Sequence, residues 1–346
     1  MWQQGLDGLL PAWAAEVGYW FADALRVLGR LEESRDIAEE TVRIAQRVDD
    51  HVAESDARWL LLVLELSTGD WNAAIAGLAS DAASQSDPHG RIDSHATIAG
   101  WLARFGGDAQ RQVIIEHLER GEGDAAAVGC NRCRREFTVR GAETHARIGQ
   151  VKTARAWLAA WDDEAPARSG LARFWRLRAG AVLAAAEGAD EHAVARLESV
   201  VASAEADDMA LEACHAQLDL GAALAELDRS RAVAVLRAAA TRAQEMGAVT
   251  EARAAQRALR RLGVRPRQPA AIARDAEGVR PAGLTRSELA VARLAASGAS
   301  NREIAEALFI TPKTVERHVS RALAKLDVRN RTELAGRMSR LAPGSS

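Results

Sequence analysis

A turn signal recurs along most of this chain at a nearly constant interval, and that interval restricts the fold more than any other feature. Gly29, Gly69, Gly107, Gly149, Gly188 and Asp228 each separate two stretches rich in Ala, Leu, Arg and Glu, at spacings of 40, 38, 42, 39 and 40 residues. The stretches place apolar residues at i, i+3, i+4 and i+7, the period of a helix with one buried face. Each turn therefore joins two helices. A lone hairpin leaves an apolar face bare, so the regular spacing predicts hairpins stacked on one another. No strand-like alternation appears in the first 263 residues, and Pro11, Pro88 and Pro166 fall at expected helix starts or turns.

The pattern resembles a tetratricopeptide-type solenoid, with a period longer than the family's usual value of about 34. A less regular helical bundle is the alternative. At 346 residues, 48% hydrophobic and 27% charged, the chain has enough apolar sequence for several buried cores, which excludes wholesale disorder and a fibrous architecture. No apolar run reaches the roughly 18 residues that a membrane span needs. The first residues, MWQQGLDGLLPAWAAEVG, lack the basic start of a secretory signal, and three cysteines form no paired framework. A reducing cytoplasm is the expected setting.

The net charge of -3 is unevenly spread: residues 280–341 hold 12 Lys/Arg against 6 Asp/Glu, a local +6, leaving -9 elsewhere. A basic module on an acidic body is expected where one end meets a polyanion. Between Gly263 and Gly283 the sequence GVRPRQPAAIARDAEGVRPAG loses its helical face. That composition predicts a linker over 264–283 between a sensing or interaction region, 1–263, and a C-terminal module, 284–341.

Within the module, Thr285 with Glu288, Ser300 with Glu303, and Asn330 with Glu333 have capping-box spacing, and Thr311-Pro312 opens a further helix. Four helices are expected, over Arg286 to Ala296, Asn301 to Leu308, Pro312 to Leu326 and Arg331 to Leu341, with breaks at Gly298 and Asp327. Only Phe309-Ile310-Thr311 separates the second from the third, the helix-turn-helix arrangement. On the third helix Val315, Val319, Ala322, Leu323 and Leu326 form an inward stripe. Glu316, Arg317, Ser320 and Arg321 then face a DNA groove: each arginine suits guanine, Glu316 suits cytosine N4, and Ser320 a base or phosphate. Lys313, Thr314, His318 and Lys325, with Asn301 and Arg302 on the preceding helix, are candidate phosphate contacts.

The segment GLTRSELAVARLAASGASNREIAEALFITPKTVERHVSRALAKLDVRNRTELA resembles the LuxR-type domain, with its LT-x-x-E opening, G-x-S-N-x-E-I-A second helix, TV-x-x-H recognition helix and K-L-x-V-x-N-R close. Asp327 stands where that family usually has glycine. The resemblance implies a transcriptional regulator that dimerises partly through residues 331–341, binds an inverted repeat in double-stranded DNA, works with RNA polymerase and resides on the nucleoid. The expected fold is all-α: a tetratricopeptide-like solenoid followed by a four-helix LuxR-type domain. The arrangement is similar to the C-terminal part of the large ATP-binding LuxR regulators and MalT-like activators. Their P-loop is missing: Gly149-Gln150-Val151-Lys152-Thr153 lacks the glycines that cradle phosphate. No Asp-rich receiver region precedes the linker. The competing class is an interaction scaffold whose C-terminal unit has lost DNA affinity.

No catalytic constellation and no cofactor motif stands out. Cys130 and Cys133, with His145 beyond, suggest a metal but supply fewer than the four ligands of a structural zinc site, so they are expected to be ordinary partly buried residues. Cys214 and His215, adjacent on a helix, diverge by about 100° and form no nucleophile-base pair. The nine tryptophans all lie in the repeat region and are expected mainly to pack hairpins together. Trp157 and Trp161, one turn apart, could instead line a groove for a peptide or small-molecule effector.

Overall fold

The computed structural model describes residues 11–85, 87–162, 170–264, 284, 286–308, 312–326 and 328–341. Among these residues the structure is helical throughout, without a strand. The chain divides into two compact units, residues 1–266 and 267–346. The expected linker lies, from residue 265 to 283, outside the described residues, as do Pro166, Thr285, the turn 309–311 and Asp327.

Among the described residues of the first unit, thirteen α-helices follow one another: α1 (Pro11–Val27), α2 (Leu31–Val48), α3 (His51–Thr68), α4 (Trp71–Ser84), α5 (Pro88–Trp101), α6 (Arg111–Val128), α7 (Asn131–Arg147), α8 (Val151–Asp162), α9 (Gly170–Glu187), α10 (Glu191–Ala206), α11 (Ala210–Leu224), α12 (Arg229–Glu245) and α13 (Val249–Arg261). Each of the six sequence turns falls inside one hairpin, from Gly29 between α1 and α2 to Asp228 between α11 and α12. The helix starts are set largely by aspartate. Asp50, Asp87, Asp190 and Asp228 accept from the free amides of Ala53, His89, Ala193 and Arg231 at 2.8–3.1 Å, and Asp70 caps α4 in the same way. At Gly29 the backbone has φ +78, and Ala210 and Met246 leave no room for a side chain.

Those two neighbours come from the far end of the repeat, because the solenoid closes on itself. Ala22, Leu31, Leu60 and Leu64 of the first helices share an apolar cluster with Leu211, Cys214, Ala239, Ala243 and Ala252 of the last. Ser67 Oγ donates to Glu251 at 2.7 Å, and Thr250 Oγ1 donates to the Leu66 carbonyl at 2.8 Å. The first and last hairpins thus cover faces that an open array would leave to terminal caps. Further cores lie between, among them one around Leu78, Ile98 and Ile114 and one around Leu197, Leu220 and Leu224. Fully burying each such leucine or isoleucine contributes about 1.5–3 kcal/mol.

The described residues of the second unit form α14 (Arg286–Ala296), α15 (Asn301–Leu308), α16 (Pro312–Leu326) and α17 (Arg331–Leu341), the bounds expected from sequence. Leu289, Val291, Ala292, Ile304, Val315, Val319, Ala322, Leu326 and Leu334 are buried in one core, with Leu294, Leu323 and Val328 packed against it. The capping box of α15 is reciprocal: the Ser300 amide donates to Glu303 at 2.6 Å, and the Glu303 amide to Ser300 Oγ at 3.3 Å. At α17 the Glu333 amide donates to Asn330 at 2.9 Å, but the Glu333 carboxylate reaches one residue further back, to the amide of Arg329 at 2.8 Å. Gly298, at φ +95, ends α14 as expected.

Candidate nucleic-acid interface and repeat-unit cavity

Helix α16 is divided as its sequence period requires. Val315, Val319, Ala322 and Leu326 point into the core, and Glu316, Ser320, Arg321 and Ala324 are exposed on the other side. Arg317 belongs to the same helix, and its side chain, like those of Lys313 and Thr314 in the first turn, lies outside the described residues. His318 is half-buried and Arg302 on α15 is exposed.

Two of the candidate phosphate contacts also have partners within the unit. The Lys325 ammonium lies 2.6 Å from Oε2 of Glu288, tying α16 to α14. Asn301 accepts from Arg331, whose guanidinium also donates to the Ala299 carbonyl at 2.6 Å. Arg331 thereby joins the start of α17 to the turn ahead of α15.

In the first unit α1, α3, α5, α7, α9 and α11 line a cavity of about 970 Å³. Its apolar wall carries Trp20, Trp59, Trp101 and Trp175, and its polar wall Arg26, Arg140, Glu143, Arg178, Glu212 and His215. A single turn of π-helix, Leu102–Gly106, extends α5 and positions Arg104 to donate to Glu143 at 3.1 Å and to Asp219 at 3.1 Å. Arg147 bonds the same two carboxylates at 2.8 and 2.7 Å. Arg178 donates to Glu143 at 2.8 Å and to Glu212, and His215 lies 3.0 Å from Glu251. These groups form one buried polar network linking α5, α7, α9, α11 and α13. Burial raises the Glu143 carboxyl, but Arg178, Arg147 and Arg104 outweigh it and hold the group well below the usual carboxylate range. Glu212 behaves alike: burial raises it, while Arg178 and the His215 hydrogen bond lower it further.

The tryptophan pair suggested by sequence does not line this cavity. Trp161 is buried beneath the Arg135 guanidinium, 4.7 Å from its ring, and Trp157 packs on Phe137 and His145. Both fill the interface of α7 with α8, because Gly141 opens a slot that the Trp157 ring occupies. The cavity tryptophans come instead from four separate helices, a juxtaposition that no local spacing reveals.

Cys214 and His215 diverge as expected: the thiol is buried beside the Ala239 carbonyl, and the imidazole faces the cavity. His145 is engaged elsewhere, bonding Gln150 at 2.6 Å. The histidine beside Cys130 and Cys133 is His89, more than forty positions earlier in the sequence.

Residues 282–338 match the GerE family, bacterial regulatory proteins of the luxR family. This stretch is a LuxR-type helix-turn-helix domain. Over it the chain is 52% identical across 52 residues to the transcriptional regulatory protein LiaR of Bacillus subtilis (strain 168), covering 15% of this chain and 25% of that protein. It is 58% identical across 52 residues to the uncharacterized transcriptional regulatory protein YhcZ of the same strain, covering 15% and 24%. With DegU of Brevibacillus brevis it shares 52% across 50 residues, covering 14% and 21%. The chain thus spans about a quarter or less of the length of these relatives. A Rap protein solved in complex with competence and sporulation factor aligns at a TM-score of 0.45 and 14% identity, covering 94% of this chain and 92% of that one.

Among the described residues, no helix is long and apolar enough to cross a membrane.

Proposed function

We propose that this chain is a sequence-specific DNA-binding transcriptional regulator that inserts α16 into the major groove. The observation that carries the reading is the exposed polar face of α16, with Glu316, Ser320 and Arg321 set opposite a fully apolar stripe, inside a domain of the LuxR type. Arg317 and Arg321 read guanine, Glu316 accepts from cytosine, and Ser320 bonds a base or phosphate. Arg302, Lys313, Thr314 and His318 hold the backbone, and the Asn301 amide still has its N–H donors for a phosphate. Lys325 serves chiefly to anchor α16 on Glu288.

The active species is a dimer paired through α17 on an inverted repeat, acting on RNA polymerase at the nucleoid. The names of the matched relatives, transcriptional regulatory proteins, support the regulatory reading over the domain they share. The repeat unit receives the signal. Its cavity is within the usual size of small-molecule sites and pairs aromatic walls with a few fixed charges, which suits a peptide or small amphipathic effector.

Selection of bound duplexes from a randomised pool tests the proposal. One inverted-repeat motif should be enriched by the full chain and lost with Arg317→Ala and Arg321→Ala together. Failure to enrich any motif would instead favour the interaction scaffold.

A further inference from the structure

Three potential metal ligands, two sulfurs and an imidazole nitrogen, meet where the start of α5 faces the start of α7. His89 Nδ1 lies 3.1 Å from Cys133 Sγ, and a ring nitrogen of His89 and the sulfurs of Cys130 and Cys133 all lie within 4.8 Å of one another. Ligands arranged tetrahedrally about one zinc ion, at about 2.0–2.3 Å from it, stand about 3.3–3.8 Å apart. The cluster is therefore already close to that spacing, and small rotations of exposed or half-buried side chains complete it.

The backbone holds each ligand in place independently. Asp87 caps α5 by accepting from the His89 amide, and Pro88 is the first residue of that helix, so His89 is fixed in its first turn. Gly129 reverses the chain at φ +66 and delivers Cys130 as the residue preceding α7, with Cys133 one turn on.

We propose that His89, Cys130 and Cys133 form a binding site for one thiophilic metal ion, zinc(II) or copper(I), with a solvent molecule or a small external ligand completing the shell in the case of zinc. Two sulfurs and one imidazole match the preference of both ions, and hard ions such as magnesium and calcium are disfavoured. The ion would clamp α5 to α7. Since Asn131 and Arg132 between the cysteines, and Arg135 and Glu136 just beyond them, line the cavity, occupancy would fix one side of its wall. This inference is independent of the DNA-binding reading.

The test uses the full chain, stripped of metal and kept reduced under anaerobic conditions. Zinc(II) and copper(I) are titrated separately against a competing chelator, and cobalt(II) serves as an optical probe of thiolate ligation. One ion should bind per chain for zinc, copper or both, and cobalt should give sulfur-to-metal charge-transfer bands. His89→Ala, Cys130→Ser and Cys133→Ser should each weaken binding at least about 10–100-fold, the loss seen even for outer-shell changes. Cys214→Ser, at the buried thiol beside Ala239, and His145→Gln should bind as the parent does. Circular dichroism and thermal melting of each metal-free variant show whether it is folded, and affinities are compared among folded variants. Failure of both zinc and copper to bind stoichiometrically overturns the proposal. So does binding that survives Cys130→Ser and Cys133→Ser equally, or cobalt spectra without sulfur bands.

Discussion

Lys325 Nζ lies 2.6 Å from Oε2 of Glu288, a carboxylate whose side chain is 4% exposed, while the lysine side chain is 38% exposed. The pair fastens the last turn of α16 to α14. Removing the cation takes a counter-charge from a buried carboxylate, and the half-exposed lysine sets the penalty below that of a fully buried pair. Lys325→Met should destabilise the C-terminal unit by about 1–3 kcal/mol, and adding Glu288→Gln should recover part of the loss. Urea unfolding of that unit measures both. The salt dependence of DNA binding should change little in the double variant, whereas loss of a phosphate contact lowers the slope by about 1.

His95 and His117 place their Nδ1 atoms 2.8 Å apart between α5 and α6, where one ring N–H donates to the other ring's bare nitrogen. Burial and then His95 push His117 down to about 4, and burial lowers His95 despite Asp124 nearby. An unfolded histidine takes up its proton near pH 6.5, so these two favour the folded state fully above that value. Stability should fall as the pH drops from about 6.5 towards 4, by up to about 1.4 kcal/mol per pH unit for each histidine. Denaturant midpoints measured across this range check the slope, and His117→Asn should flatten it.

Glu143 accepts from Arg104, Arg147 and Arg178, and its charged form is what the network needs. Glu143→Gln leaves three buried guanidinium groups short of a counter-charge and should cost about 3–5 kcal/mol in the repeat unit. Because the carboxyl is held below its ordinary range, the parent loses this contribution only as the pH falls below about 4.5. Equilibrium unfolding at pH 7 and pH 4 should therefore show a smaller difference between variant and parent at the acid value.

The hairpin turns and the four C-terminal helices were legible in the sequence because their causes are local. Gly29 needs a left-handed backbone, Asp228 caps the next helix, and Ser300 with Glu303 closes a box within four residues. The inward stripe of α16 follows from helical period alone. What could not be read is what depends on closure of the solenoid. Ser67 meets Glu251 across 184 positions, and Arg104 meets Asp219 across 115. Trp59, Trp101 and Trp175 share one cavity only because alternate helices face inward, whereas Trp157 and Trp161, adjacent on one face, are absorbed into packing. The same holds for His89, which reaches the cysteines through the packing of α5 on α7, while the nearer His145 turns to Gln150.

Cavity occupancy should be visible through its aromatic wall. Trp175→Ala removes one tryptophan that faces the cavity and should weaken any effector bound there at least tenfold, an effect of about 1.4 kcal/mol. Trp157→Ala should act on stability instead. Effector titration by tryptophan fluorescence, alongside thermal melting of both variants, separates the two.

The central claim is that α16 reads DNA, and the most direct measurement is the affinity of the full chain for its selected duplex as salt is varied. The account predicts a linear fall of log K with log salt, of about 0.9 for each phosphate contacted, and a loss of preference for that duplex over a scrambled one in Arg321→Ala. Affinity that ignores salt, or a preference that survives replacement of both Arg317 and Arg321 in a folded protein, would contradict it.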